Sequence, residues 1–440
     1  MTDDILILNA AIITVNPAFD VIARGMVGIR DGKITRVGPM PAAGTVPPAI
    51  EEVDAAGHIV MPGLINTHTH LPMVLFRGMA DDLPLHEWLT RHIFPAESRW
   101  ISPETVAPAA RLACAEMLLS GTTTCCDGYF LENLVAAAVA EAGLRAVLAQ
   151  GVIDFPAPGV PDPALNIAAA ETFVANWTGR CGLITPSVFC HAPYTCSADT
   201  IRRGKTLADA GGVLFQIHVA ETEQERTDCI AAHGVSPVAY LDQLGVLDEN
   251  TLCVHAIWVD AADREILARR RPGIAHCPRS SMKLASGNSP VQAFFDEGLR
   301  VGLGTDGAAS NNTLDMLAEL TTAARLHKTV EMDPTAAGAR EIIQAGTIGG
   351  AAAIGLGEVT GSIETGKAAD LILIDTRAPH LTPMYHPASH IVYAARAEDV
   401  RHVLVAGRWT VRDRRLLTLD VDALMAAVND VATAIAAVKA

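Results

Sequence analysis

The 440-residue chain is poor in aromatic residues, which make up 5% of it as five Trp, five Tyr and ten Phe, and poor in charge, at 19%. Scarce charge alongside 50% hydrophobic residues excludes a disordered chain and allows a large α/β core. Positive charge is scarcer still. The 33 Lys and Arg face 49 Asp and Glu, giving a formal net charge of -16, and no basic cluster is interleaved with aromatics. A nucleic-acid partner is thereby disfavoured. Long apolar runs are missing as well: LVAAAVAEAGLRAVLAQGVI is interrupted by Glu141 and Arg145, short of the roughly 20 clean residues of a membrane span. The opening MTDDILILNA has acids where a secretory leader carries positive charge. Nine cysteines, an odd number without any C-x-x-C, suggest neither a disulfide framework nor a thiolate zinc site. These absences predict a soluble protein of the reducing cytoplasm that partners neither nucleic acid nor membrane; a small-molecule substrate and assembly as a homo-oligomer are expected beside them.

What is present is patterned. Residues 1–60 read as short β segments, DILILNAAIITV, MVGIRDGKITRVG with an Asp-Gly turn, and HIVMPG, predicted as the first part of a β-sandwich. Over residues 61–358 strand-like runs alternate with amphipathic stretches: RAVLAQGVI, CGLITPSVFC, GVLFQIHVAE, TLCVHAIWV, GIAHCP and RVGLGTD. Such alternation predicts a parallel sheet closed into a (β/α)8 barrel. Residues 359–440 return to β with ADLILIDT and DVRHVLVAGRWTV before an Ala-rich helix, so the second part of the sandwich comes from the other chain end. Ser102-Pro103-Glu104 carries the signals of a helix start, with Gly121 past its end.

His68 and His70 stand two apart in NTHTHLPM. Alternate residues of a strand share a face, so both imidazoles can reach one metal ion; a water-facing edge strand fits poorly with the apolar HIVMPGLIN before them. His218 closes the run VLFQI, and Glu221 joins it only if the chain turns after His218; otherwise Glu221 is a solvated acid at a helix start, with Glu223 and Glu225. His191 and His255 close the strands on either side. One such histidine is commonly a core residue, but three successive strands ending in His point to the C-terminal face of a barrel.

GLGTDGAASNN contains a G-x-G-x-x-G at Gly302, Gly304 and Gly307. A dinucleotide loop aims N–H groups at phosphate, and Asp306 would repel that anion; no convincing ribose acid follows about 20 residues on. At the end of the eighth strand Asp306 instead joins His68, His70 and His218. Three imidazole nitrogens and a carboxylate suit Zn2+, or Fe2+ in its place. GSIETGKA lacks the P-loop hydroxyl at Ala368 and reads as a β turn. The S-x-x-K of Ser280–Lys283 lacks the companion S-D-N and K-T-G of a penicillin-type nucleophile.

Together and in this order, PGLINTHTH, HVAE, VHAI and GLGTDGAASNN resemble the amidohydrolase superfamily, in its mononuclear adenosine- and cytosine-deaminase-like branch. DGKITRVG and GSIETGKAADLILID resemble the β-sandwich segments of that superfamily, and LPMVLFRGMADDLPLHEWL with IFPAE is most similar to deaminases of 5'-methylthioadenosine and S-adenosylhomocysteine. The resemblance implies a zinc-dependent aminohydrolase that converts an adenosine-type nucleoside to its inosine analogue and ammonia. It implies one metal on His68, His70, His218 and Asp306, with Asp306 also catalytic. Glu221 would shuttle protons, His255 assist the attacking water, Trp88 lie along the substrate, Glu97 accept from ribose hydroxyls, and His191 touch the nucleoside. Gln150 stands at the substrate where the group tends to carry arginine, and DFPAPGVPDPALN has none. The likeness therefore extends less readily to S-adenosylhomocysteine than to 5'-methylthioadenosine, adenosine or 5'-deoxyadenosine. A triazine aminohydrolase or chlorohydrolase, or a guanine or cytosine deaminase, would share the metal site. A silent scaffold on the same barrel is the alternative of another class.

Overall fold

The computed structural model describes residues 2–42 and 45–439. The chain begins in sheet, with β1 (Asp3–Ile13), β2 (Val21–Arg30), β3 (Lys33–Pro39), β4 (Ala49–Asp54) and β5 (His58–Pro62). Strands β2 and β3 form a hairpin on Asp31 and Gly32, whose φ of 52° and 74° match the type I′ turn that Asp-Gly favours. Strand β4, AIEEVD, escapes the sequence pattern because its acids lower β propensity; pairing alongside β1 supplies its order.

Eight strands then alternate with helices: β6 (Leu64–Thr69), β7 (Thr122–Tyr129), β8 (Arg145–Val152), β9 (Ile184–Cys190), β10 (Phe215–Val219), β11 (Thr251–His255), β12 (Gly273–His276) and β13 (Arg300–Leu303). They pair in chain order, all parallel, and form the predicted barrel. The chain returns to the first sheet with β14 (Leu371–Asp375), β15 (Val400–Val405), β16 (Arg408–Arg412) and β17 (Arg415–Leu416), then ends in the helix Val421–Lys439. That mixed sheet runs β17-β16-β15-β14-β5-β1-β2-β3, with β4 on β1, so both chain ends build it. Arg145 of β8 ties barrel to sheet: its Nε and Nη2 donate to the two carboxylate oxygens of buried Asp370 at 2.7 and 3.1 Å. Among the described residues no helix is long and apolar enough to cross a membrane.

The first barrel helix, Pro103–Leu119, starts as predicted. Ser102 Oγ accepts from Glu104 N at 3.3 Å and Thr105 Oγ1 accepts from Ser102 N at 3.0 Å, while Pro103 needs no donor at this position. The helix stops at the Ser120 cap, and Gly121 turns the chain with φ 93°. The P-loop-like GSIETGKA is a turn around Gly366, where Lys367 Nζ donates to Gly357 O and Ser362 Oγ, both at 2.7 Å.

Barrel closure brings the two ends of the eight-stranded series together. Beyond β13, Thr305 N donates to Asn66 Oδ1 at 3.0 Å and Asp306 N donates to His68 O at 2.9 Å. The backbones approach so closely that side chains have no room. A Cβ on Gly302 would lie 2.3 Å from Thr67 Cγ2, one on Gly304 2.9 Å from His68 N, and one on Gly307 2.6 Å from Met73 Sδ. The G-x-G-x-x-G therefore closes a barrel seam, with the missing side chains replaced by the strand that carries His68.

Candidate metal centre and active site

Every predicted ligand lies at a strand end on the C-terminal face. His68 belongs to β6 and His70 follows it, His218 lies in β10, His255 ends β11, and Asp306 follows β13. Ala220, His255, Ala256 and Asp306 have φ of 52°, 73°, 46° and 61°, so three of these strands leave the barrel through left-handed backbone. The turn after His218 that the sequence required is at Ala220. Glu225 holds it, its carboxylate accepting from Ala220 N at 2.9 Å and Glu221 N at 2.7 Å. This clamp swings Glu221 into the site beside His255, with Oε2 3.8 Å from Nε2.

Donor atoms converge in two triads that share His68. One comprises His68, His218 and His255, the other His68, His70 and Asp306, and in each the atoms lie within 4.8 Å of one another. His68 Nε2 and His218 Nε2 are 3.1 Å apart, and Asp306 Oδ1 is 3.5 Å from the Nε2 atoms of both His68 and His70. His70 Nδ1 donates to Gly128 O at 2.8 Å, which fixes the tautomer with a lone pair on Nε2. Burial, with the charge of His68 added, pushes the His70 imidazole down to about 4 and His218 well below its usual range. Burial likewise holds His255 near 3, although Asp306 opposes it. The neutral forms of His70, His218 and His255 are thereby favoured. Burial alone would raise the Asp306 carboxyl, but the surrounding imidazoles, first His68 through hydrogen bonding and then His70 and His255, keep it well below the carboxylate range. Lone pairs aimed together with one anion form a donor set that a divalent cation satisfies.

Asp306 is itself oriented. Its Oδ2 accepts from Ser280 Oγ at 2.6 Å and Ser310 Oγ at 2.8 Å, and Oδ1 accepts from Gly307 N at 2.7 Å. Ser280, which the sequence offered only as a failed nucleophile, is thus a support for the carboxylate. Ser310, four residues after Asp306 at the C-terminal end of GTDGAAS, could have been found by that spacing; Ser280 carries no local signal.

A cavity of about 710 Å³ opens over this cluster. Trp88, Glu97 and His191 line it together with His70, His218, Glu221, His255 and Asp306. The scarce aromatics concentrate here, with Trp88, Phe94, Tyr129, Phe130, Phe189 and Tyr194 in the wall. Trp88 opens a π-helical turn, Trp88–Ile93, the kind of local irregularity that often marks a functional site. His191 Nδ1 pairs with Thr195 Oγ1 at 2.8 Å, and burial drives its imidazole down to about 3. Glu97 accepts from Tyr129 Oη at 2.6 Å; burial raises its carboxyl to about 7 against that hydrogen bond. Glu221 is pushed well above the carboxylate range, first by burial and then by Asp306 and Glu225.

Gln150 is the exception. Its side chain does not line the cavity; Oε1 accepts from Glu132 N at 3.1 Å and so caps the helix Glu132–Ala142, while its neighbours Gly151 and Val152 form the wall. Gln150 thus orients the start of that helix beside the cavity wall.

The amidohydrolase family profile matches residues 59–410 of the chain. The chain belongs to the amidohydrolase family. Among members of this family, it is 43% identical to 5-methylthioadenosine/S-adenosylhomocysteine deaminase of Syntrophobacter fumaroxidans over 98% of both chains. It is also 43% identical to 5'-deoxyadenosine deaminase of Methanosarcina mazei over 95% of both. The crystal structure of an adenosine deaminase from Xanthomonas campestris with bound zinc superposes with a TM-score of 0.97 at 38% identity, covering 99% of each chain. The family, that zinc-bound neighbour and the His/Asp cluster together support a divalent metal in this amidohydrolase.

Proposed function

We propose that this amidohydrolase is a zinc-dependent deaminase of adenosine-type nucleosides, yielding the inosine analogue and ammonia. The observation that carries the reading is a buried Glu221, its carboxyl pushed up by burial, held by the Glu225 clamp at the edge of the donor cluster inside an aromatic-walled cavity. One zinc ion on His68, His70, His218 and Asp306 is the reading, and the protein would work in the cytoplasm, where its nine free cysteines stay reduced. A homo-oligomer remains part of the proposal.

When bound, a divalent cation supplies Lewis acidity, lowering the pKa of water it holds toward about 7. The chain's own groups do the rest. Glu221 donates its proton to ring N1, which makes C6 accept an oxygen nucleophile. His255, neutral at Nε2, accepts a hydrogen bond from the attacking water and keeps it in line with C6. Asp306 takes the first proton of that water and passes it to the exocyclic amine; the second restores Glu221. The C–O bond forms at C6, the C6–N bond breaks, and ammonia leaves. Trp88 covers the nucleoside, and ionised Glu97 accepts from the ribose hydroxyls with Tyr129 holding its other face.

The test is ammonia release by metal-loaded protein from adenosine, 5'-deoxyadenosine, 5'-methylthioadenosine, free adenine, guanine, cytosine and aminotriazines. Turnover confined to ribosides supports the proposal. Preference for a free base or a triazine over every riboside refutes it.

A further inference from the structure

Past Glu97 the cavity adjoins a second space of about 760 Å³, a groove lined by Phe94, Phe130, Phe155, Pro156, Ala157 and Pro158. Phe94, Glu97 and Phe130 line both spaces, so the two meet at Glu97, and a ligand whose ribose rested there would direct what it carries farther from the base toward the groove. The Phe94 and Phe155 rings meet edge to face at 5.4 Å and 61°. Among the described residues no lysine or arginine lines either space, and Glu97 is the one ionisable group of the groove.

We propose that this groove is the subsite for the 5' substituent of the nucleoside and that it selects short, uncharged, apolar substituents over amino-acid tails. The inference rests on the nucleoside reading above. A methylthio group or a bare methyl would sit against the phenylalanine faces and the proline rings, gaining from removal of apolar surface from water and from sulfur–aromatic contact. An amino-acid tail brings an ammonium and a carboxylate. The carboxylate would lose water without meeting a cation and would lie near the Glu97 carboxyl, an arrangement that costs affinity on both counts. A 5'-hydroxyl falls between, since apart from Glu97, engaged by the ribose, the groove wall offers it only Ser98 at the rim.

The experiment compares kcat/KM of the metal-loaded full chain for 5'-methylthioadenosine, 5'-deoxyadenosine, adenosine and S-adenosylhomocysteine. The expected result places S-adenosylhomocysteine at least about 10-fold below 5'-methylthioadenosine, within the about 10–200-fold range that an apolar pocket achieves. Phe155→Ala should lower kcat/KM for 5'-methylthioadenosine about 10-fold more than for adenosine, and through KM. Ala157→Arg should narrow the gap by raising kcat/KM for S-adenosylhomocysteine. Equilibrium binding of the same four nucleosides to metal-loaded Glu221→Gln ranks affinity apart from chemistry and should give the same order. Parity of S-adenosylhomocysteine with 5'-methylthioadenosine, or an equal loss for all four in Phe155→Ala, overturns the subsite while leaving the deaminase reading intact. Absence of deamination and binding for all four overturns both.

Discussion

The two hydroxyls on Asp306 give the sharpest test of how the metal centre is built. Ser280→Ala removes a 2.6 Å charge-assisted hydrogen bond to Oδ2 and leaves the one from Ser310 at 2.8 Å; Ser310→Ala does the reverse. A hydrogen bond to a charged group is worth about 1.5–3 kcal/mol, and groups that orient a metal ligand typically change metal affinity about 10–100-fold. Each single variant should sit at the lower end, about 10-fold, because the second hydroxyl and Gly307 N still hold the carboxylate. The double variant should lose more than the two singles together, since the hydroxyls are neighbours at 3.1 Å and each covers for the other. At about 1.4 kcal/mol per tenfold, a 100-fold or larger loss corresponds to about 3 kcal/mol. Titration of the apoprotein against a chromophoric chelator gives the zinc affinity, and circular dichroism checks that the barrel is folded. A folded double variant that binds zinc as tightly as the parent refutes the orienting role.

Glu221→Gln should keep its metal and lose about 10²–10⁴ in kcat, the span of general acid–base groups; metal analysis and ammonia release check both halves. Glu97, raised to about 7, accepts from ribose hydroxyls better when ionised, so kcat/KM for ribosides should rise with pH through about 7. Tyr129→Phe removes a bond that favours the ionised form and should shift that limb to higher pH, whereas an unmoved limb in the pH profile counts against Glu97. Gly304→Ala drives a methyl to 2.9 Å from His68 N, so overpacking of about 1–3 kcal/mol should lower the Tm and weaken zinc binding together; a normal melting curve with full metal content sinks the seam argument.

Much of this was legible in the chain because strand ends announce themselves. An apolar run that stops at His218 or His255 has a period and an end, and the order of such runs in a β/α alternation puts their ends on one face. His68 and His70 needed only the two-residue repeat of a strand. What orients these groups was not legible. Ser280 lies 26 residues from Asp306, and Tyr129 lies 32 residues from Glu97, so each pair exists only after the barrel has closed. Glu225 sits among three acids of one helix start, and sequence alone gives no reason why it, and not exposed Glu223, turns inward to hold two backbone amides. The bond from Glu132 N to Gln150 Oε1 is likewise invisible in the sequence, since it joins a strand to the helix 18 residues before it.

The glycine motif shows why spacing by itself decides little. Gly302, Gly304 and Gly307 fit a phosphate cradle and a barrel seam equally well on paper, since both demand backbone without side chains. The difference lies in what fills the vacated volume: here it is Thr67, His68, His70 and Met73, the segment that bears two of the donor histidines. The seam therefore couples closure of the fold to assembly of the site, because Asp306 N is bonded to His68 O and the two residues cannot separate without opening the barrel. Left-handed backbone at Ala220, His255 and Asp306 belongs to the same economy. Strain at those positions is maintained by the eight-strand ladder beneath them, and local rules of conformation yield where the donor atoms must turn inward.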